Sequence, residues 1–299
     1  MKKRRRTEHL ITERVNPRTK DIDRCSTLEI IELISEEDKK IANAISKQKR
    51  KIAKAVDLIV NRLRKDGRLF FIGAGTSGRL GVMEAAECPP TFGTKTNLIQ
   101  GVIAGGKKAL WRSIEGAEDS RKDSQIELAK LKLNSKDVVV GIAASVDTPF
   151  VEGALSYAKK IGCGRILITC HPVNYYNLAD IIISPVVGPE VIVGSTRMKA
   201  GTATKMVLNI LTTATMVKLG KTYGNLMVDV QPRSEKLRDR ARRIVMRLMG
   251  VSRQKASMLL KRSKWNVKAA VVMGKKKIDY KEAKELLIKC DGFLREALK

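Results

Sequence analysis

Apolar residues along the middle of this chain come in two kinds of run. Five are short and continuous: Arg68–Ile72, Asn97–Ala104, Asp137–Ala143, Arg165–Cys170 and Ile181–Val186. Runs of that length, ended by Gly, Ser or charged residues, predict strands buried on both faces. Between them lie stretches at helical spacing, a helix start over Arg79–Ala86, a stretch to Leu131, a helix over Pro149–Lys160 and an apolar helix over residues 200–220. Strands and helices in alternation predict an α/β fold, a doubly wound parallel sheet flanked by helices. Ahead of the sheet, Leu28, Ile30, Ile31, Leu33 and Ile34 predict a helix from Ser26 or Thr27. Ser35-Glu36-Glu37-Asp38 has the form of a cap and acidic first turn for a second helix, through Ile41, Ile45, Ile52, Val56 and Val60. After Pro232 the pattern changes to short Lys/Arg-rich segments. Val251–Lys261, Val267–Met273 and Asp279–Lys289 predict a small three-helix appendage.

The first strand runs straight into Gly73-Ala74-Gly75-Thr76-Ser77-Gly78-Arg79, and a helix pattern follows at once. Such a turn aims backbone N–H groups and two hydroxyls at one spot, at the positive end of a helix, which suits a phosphate. The third strand ends in a second hydroxyl turn at Ser145 and Thr148. In open parallel sheets, ligands sit at the carboxyl ends of strands, so the two turns belong to one edge. Ser195, Thr196 and Lys199, heading the helix over 200–220, form a third candidate group for phosphate. Simple N-capping is the alternative for the hydroxyls, and a surface charge for Lys199. Glu87 follows the first turn by about three helical turns, and Glu118 stands in an acidic turn, Glu115–Ser120. A carboxylate beside a phosphate cradle suits acid/base chemistry on a phosphorylated small molecule.

Composition narrows the classes. Over 299 residues, 43% are hydrophobic and only 4% aromatic, so a sizeable core must rest on aliphatic side chains. The five cysteines are scattered without a CxxC pair, and the only histidines are His9 and His171. Neither a disulfide framework nor a multi-histidine metal centre is expected. No apolar stretch is long enough to span a membrane, and Lys2–Arg6 leads into Thr7-Glu8-His9 rather than an apolar signal core. A cytoplasmic protein is therefore expected. The net charge is +28, yet Phe70–Phe150 holds ten basic and nine acidic residues, whereas residues 240–299 hold eighteen and five. The excess lies outside the motif-bearing segment. It reads as solvated basic surface, with no specific nucleic-acid partner, since no basic stripe interleaves with aromatics.

The turn Gly73–Arg79 resembles the loop of sugar isomerase (SIS) domains. Together with Glu87-Cys88-Pro89-Pro90-Thr91-Phe92, Glu115-Gly116-Ala117-Glu118-Asp119-Ser120 and Ser195-Thr196-Arg197-Met198-Lys199-Ala200-Gly201-Thr202, it resembles the N-acetylmuramic acid 6-phosphate etherase family. The resemblance runs from about Ile11 to the C-terminus. It implies a SIS-type fold with N-terminal helices, and a sugar phosphate substrate whose D-lactyl ether is cleaved to N-acetylglucosamine 6-phosphate. It implies no cofactor and no metal, a homodimer, and a place in peptidoglycan-sugar recycling. It also implies Glu87 as the acid toward the lactyl oxygen and Glu118 as the second acid/base, with Thr76, Ser77, Ser145, Thr148, Ser195, Thr196 and Lys199 toward substrate. The expected domains are a basic, irregular N-terminal segment (1–26), a SIS sugar-phosphate domain with its leading helices (27–232) and a helical subdomain (233–299).

One departure stands out. The family usually carries Gly-Arg after the serine equivalent to Ser145, and here Val146 and Asp147 stand there. A carboxylate near a phosphate repels it, and a missing Arg removes a charge-assisted contact, so weaker substrate binding is expected. The rival readings are a non-catalytic SIS sensor of a sugar phosphate that regulates a partner, and a SIS aldose–ketose isomerase.

Overall fold

The computed structural model describes residues 10–173 and 176–299, so the Lys2–Arg6 run lies outside the described residues. The chain divides into two compact units. One comprises the described residues up to Ala85 together with Asn97–Leu211, the other Ala86–Thr96 together with Thr212–Lys299.

The first unit is built on a five-stranded sheet, β1 (Leu69–Gly73), β2 (Ile99–Ile103), β3 (Val138–Ile142), β4 (Gly164–Ile168) and β5 (Ile181–Ile183), every pair parallel. The spatial order is β2-β1-β3-β4-β5. β1 and β3 are buried at every position, as continuous apolar runs demand of strands covered on both faces. On one face Phe70, Ile72, Val139 and Leu167 share a core with Phe150, Val151, Ala154, Leu155 and Ala158. Those five belong to the helix Pro149–Ile161, which, after α1 to α5 below, is α6. A Cβ on Gly141 of β3 would lie 2.6 Å from Val151, so the glycine lets this helix sit directly on the strand. On the other face the helix Lys49–Leu63 packs against β4 and β5. The start of the pair β1 and β3 is pinned by Asp137, fully buried, which accepts bonds from Arg68 at both its backbone N (2.8 Å) and Nη2 (2.7 Å).

Ahead of the sheet come α1 (Thr27–Asp38), α2 (Lys40–Ser46) and α3 (Lys49–Leu63). Ser26 and Glu29 cap α1 reciprocally, as their spacing predicts. The expected second cap is corrected: Ser35–Asp38 is the last turn of α1, and the following helix starts at Lys40 and breaks at Lys47-Gln48. Acidic residues at a helix C-terminus oppose its dipole, and Glu37 is held there by a partner remote in sequence, described below. The remaining helices here are α4 (Gly75–Phe92), α5 (Arg121–Lys130) and α7 (Lys199–Lys218), the division between units falling within α4 and α7. Two short 3-10 turns, Ile11–Glu13 and Ile22–Arg24, lie in residues 10–26.

The second unit contains α8 (Glu235–Met249), α9 (Arg253–Arg262), α10 (Val267–Lys276), α11 (Tyr280–Lys289) and the single turn α12 (Leu294–Ala297). The three anticipated helices are present with shifted ends, and α8 and α12 are additional. Ala241, Ile244 and Val245 of α8 close a core with Leu260, Val271, Val272 and Leu287. Lys268, 5% exposed, donates to Asp229 (2.6 Å) and to the carbonyls of Gly220 and Gly292. No helix among the described residues is long and apolar enough to cross a membrane.

Candidate functional site

In the order β2-β1-β3-β4-β5 the chain reverses its direction of winding between β1 and β3, and the crevice beyond their carboxyl ends is where such sheets take ligands. A cavity of about 300 Å³ opens there. From β1 come Gly75, Thr76 and Ser77, now seen as the first turn of α4 itself. The turn needs its glycines. Gly75 has φ +51°, and a Cβ on Gly73 would lie 2.7 Å from the nitrogen of Gly78. From β3 come Ser145, Asp147 and Thr148, leading into α6. Thr148 is the N-cap of α6 but makes no side-chain cap bond, so capping does not occupy its hydroxyl. Two helix N-termini therefore face one crevice, a setting that favours an anion.

Glu118 and Asp119 reach the same cavity from a 3-10 turn, Ala117–Asp119, which follows Gly116 in left-handed conformation. Thr196 and Gly194 add a further wall. The cavity thus unites Thr76, Ser77, Ser145, Thr148, Thr196 and Glu118 of the expected set. Ser195 sits between two lining residues but does not line the cavity itself. Glu87 is exposed on the part of α4 that belongs to the second unit. Among the described residues that line the cavity there is no Lys or Arg, whereas Glu13, Glu118, Asp119 and Asp147 bring four carboxylates. A phosphate held here would rest on N–H and hydroxyl donors. Among the described residues no group of His, Cys, Asp and Glu is placed to hold a metal ion.

Lys199 is neither a surface charge nor part of this cavity. It is fully buried, and its ammonium is committed to Glu37, itself 1% exposed. Lys40 and Arg18 reach the same carboxylate from the surface side. Burial pushes the Glu37 carboxyl up, and the ammonium groups of Lys199 and Lys40 outweigh it, leaving its pKa lowered to about 2. Beside it Glu190, also fully buried, accepts from the backbone N–H groups of Lys199 (3.0 Å) and Ala200 (2.9 Å) and so caps α7. Burial raises the pKa of Glu190 against the pull of those two N–H groups.

The lining also includes Thr12 and Glu13, which sequence reasoning missed. Nothing local marks them: they are two polar residues in a segment without periodicity. At Val146 the backbone has φ +70°, a left-handed conformation that is a marked outlier for a β-branched residue. The non-glycine pair Val146-Asp147 is thus accommodated under strain, at the rim of the cavity.

Comparison with known proteins bears on this geometry. Residues 51–159 match the glucokinase regulatory protein N-terminal SIS domain. Over 98% of its length the chain is 50% identical to the N-acetylmuramic acid 6-phosphate etherase of Clostridium botulinum (strain Langeland), covering 97% of that protein. The chain belongs to the N-acetylmuramic acid 6-phosphate etherase family. The etherase of Caldanaerobacter subterraneus is 49% identical over 98% of this chain and 96% of its own. That of Rhodopirellula baltica is 49% identical over 97% and 96%. Membership in this etherase family makes the chain an enzyme of the carbon–oxygen lyase class, and the SIS-type α/β fold agrees with it.

Proposed function

We propose that the protein cleaves the D-lactyl ether of N-acetylmuramic acid 6-phosphate, releasing D-lactate and N-acetylglucosamine 6-phosphate, and that it works as a homodimer in the cytoplasm. The reading is carried by its likeness, 50% and 49% identity over 98% of the chain, to relatives named for that etherase activity. The hydroxyl-rich, carboxylate-bearing crevice between β1 and β3 supports it.

The chemistry needs proton transfer at two places. In the open-chain sugar the hydrogen on C2 lies alpha to the C1 aldehyde, so a carboxylate removes it with enolate stabilisation. The C3–O bond then breaks, and its electron pair leaves with the lactyl oxygen, which takes a proton from the second acid. Water adds to C3 of the resulting enal and a proton returns to C2, with the two groups in reversed roles. We assign these roles to Glu118 and Glu87, as the family motifs imply. Thr76, Ser77, Ser145 and Thr148 hold the phosphate through hydroxyls and the N–H groups of two helix starts.

Incubating the full chain with N-acetylmuramic acid 6-phosphate and assaying D-lactate tests this reading. Wild type is expected to release lactate. Glu118→Ala and Glu87→Ala are each expected to lower turnover by about 100-fold or more, the usual share of one acid/base group. Sugar phosphate binding without lactate release in the wild type would overturn the etherase in favour of a sensor, the reading that the strained Val146-Asp147 turn favours.

A further inference from the structure

Residues 10–19 run along the loop 189–194 and are bonded to it at three points. Gly194 N donates to the carbonyl of Thr12 (3.0 Å), Thr19 Oγ1 to that of Val191 (2.8 Å), and Asn16 Nδ2 to that of Pro189 (3.4 Å). Thr12, Asn16 and Thr19 are buried although polar. Arg18 leans on Glu37, the carboxylate that also holds Lys199. This strap carries Glu13 into the cavity wall. Position 194 is a glycine with φ +73°, and a Cβ there would lie 3.0 Å from Glu13 Oε2. A bare backbone at 194 therefore makes room for the carboxylate. Glu13 Oε1 accepts weakly from Thr12 Oγ1 (3.5 Å), and no described Lys or Arg pairs with Glu13.

Resting on the etherase reading, we propose that Glu13 is a sugar-binding residue of this site, accepting hydrogen bonds from hydroxyl groups of the bound hexose phosphate. An ionised carboxylate only accepts, so its partners must be donors. Phosphate supplies none as a dianion and is repelled. The ligand groups that suit Glu13 are the hydroxyls of the sugar chain, while Thr76, Ser77, Ser145 and Thr148 supply donors to the phosphate. The strap thereby divides the cavity's work, with donors for the anion and an acceptor for the polyol.

Glu13→Ala and Glu13→Asp in the full chain, titrated with N-acetylglucosamine 6-phosphate and, separately, with inorganic phosphate, test the assignment. Glu13→Ala is expected to weaken sugar phosphate binding and raise KM by about 10-fold or more, the usual worth of a hydrogen bond to a charged group. Inorganic phosphate should bind Glu13→Ala at least as well as wild type, and Glu13→Asp should recover part of the sugar affinity. If Glu13 contributed only negative charge, its removal would tighten both ligands, which would overturn the proposal. Equal loss for both ligands, or a loss in kcat at unchanged KM, would also overturn it. Absence of lactate release from wild type would sink the etherase reading instead, while the binding titrations still decide the role of Glu13.

Discussion

Removing the Lys199 ammonium takes from the Glu37 carboxylate its fully buried cationic partner. Lys199 and Glu37 are 0% and 1% exposed, so water cannot take over the lost partner. The size follows from the carboxyl itself: a folded-state pKa of about 2, against about 4.3 in an unfolded chain, corresponds to about 3 kcal/mol of stabilisation. Lys40, about half exposed, shares in that lowering and Arg18 adds a weaker surface contact, so Lys199 carries only part of it. Lys199→Met is therefore expected to cost about 2–3 kcal/mol, below the roughly 3–5 kcal/mol of a buried charge left with no partner at all. Glu37→Leu combined with Lys199→Met should cost much less than the single change, because no buried charge is left over. Urea denaturation at pH 7, followed by circular dichroism, gives both numbers. The pH dependence is a second reading of the same pair. Because the folded pKa lies below the unfolded one, the stabilisation is complete above about pH 5 and is lost as pH falls toward 2. Lys199→Met should flatten that acid limb. A loss below about 1 kcal/mol, or a double variant no better than the single one, would refute the reasoning.

Two further predictions concern the site rim and the thiols. Val146→Gly with Asp147→Arg should relieve a left-handed β-branched residue and add a charge-assisted phosphate contact. KM is expected to fall by about 10-fold, and an unchanged KM would show that this turn does not touch the phosphate. For the thiols, Cys25 and Cys290 are half-buried while Cys88, Cys163 and Cys170 are buried. Burial, aided by Asp137 and by Glu190 respectively, pushes Cys163 and Cys170 up to about 12. A disulfide reagent at pH 8 should thus label two thiols quickly in the native chain and the rest only on unfolding. A third fast thiol would contradict the burial of Cys88, Cys163 or Cys170.

The strands were legible because burial on both faces leaves a continuous apolar run, and each observed strand overlaps its predicted run with ends shifted by up to three residues. The glycine–hydroxyl turn was legible for a similar reason: steric need for Gly73, Gly75 and Gly78 is written locally. Ser35–Asp38 misled because a serine followed by three acids signals a helix start only while its partners are local. Glu37 answers to Lys199, 162 positions away. The helix α8 was passed over because eight of its fifteen residues are charged, and the narrow stripe of Leu237, Ala241, Ile244, Val245 and Leu248 was lost among arginines. Thr12 and Glu13 were out of reach altogether, since the burial of Thr12 and the place of Glu13 at the cavity wall are decided by the tertiary fold and not by any local pattern.

The cavity's neutral donors separate two quantities that a basic binding pocket would join. With no lysine or arginine among its described lining residues, ions in solution have no local cation there to screen. The +28 charge of the chain as a whole acts at long range, where salt is effective. Raising ionic strength should therefore slow the arrival of the sugar phosphate. Its residence time, which no local cation supports and the four lining carboxylates oppose, should not shorten with it, so encounter and release are tuned by different parts of the molecule.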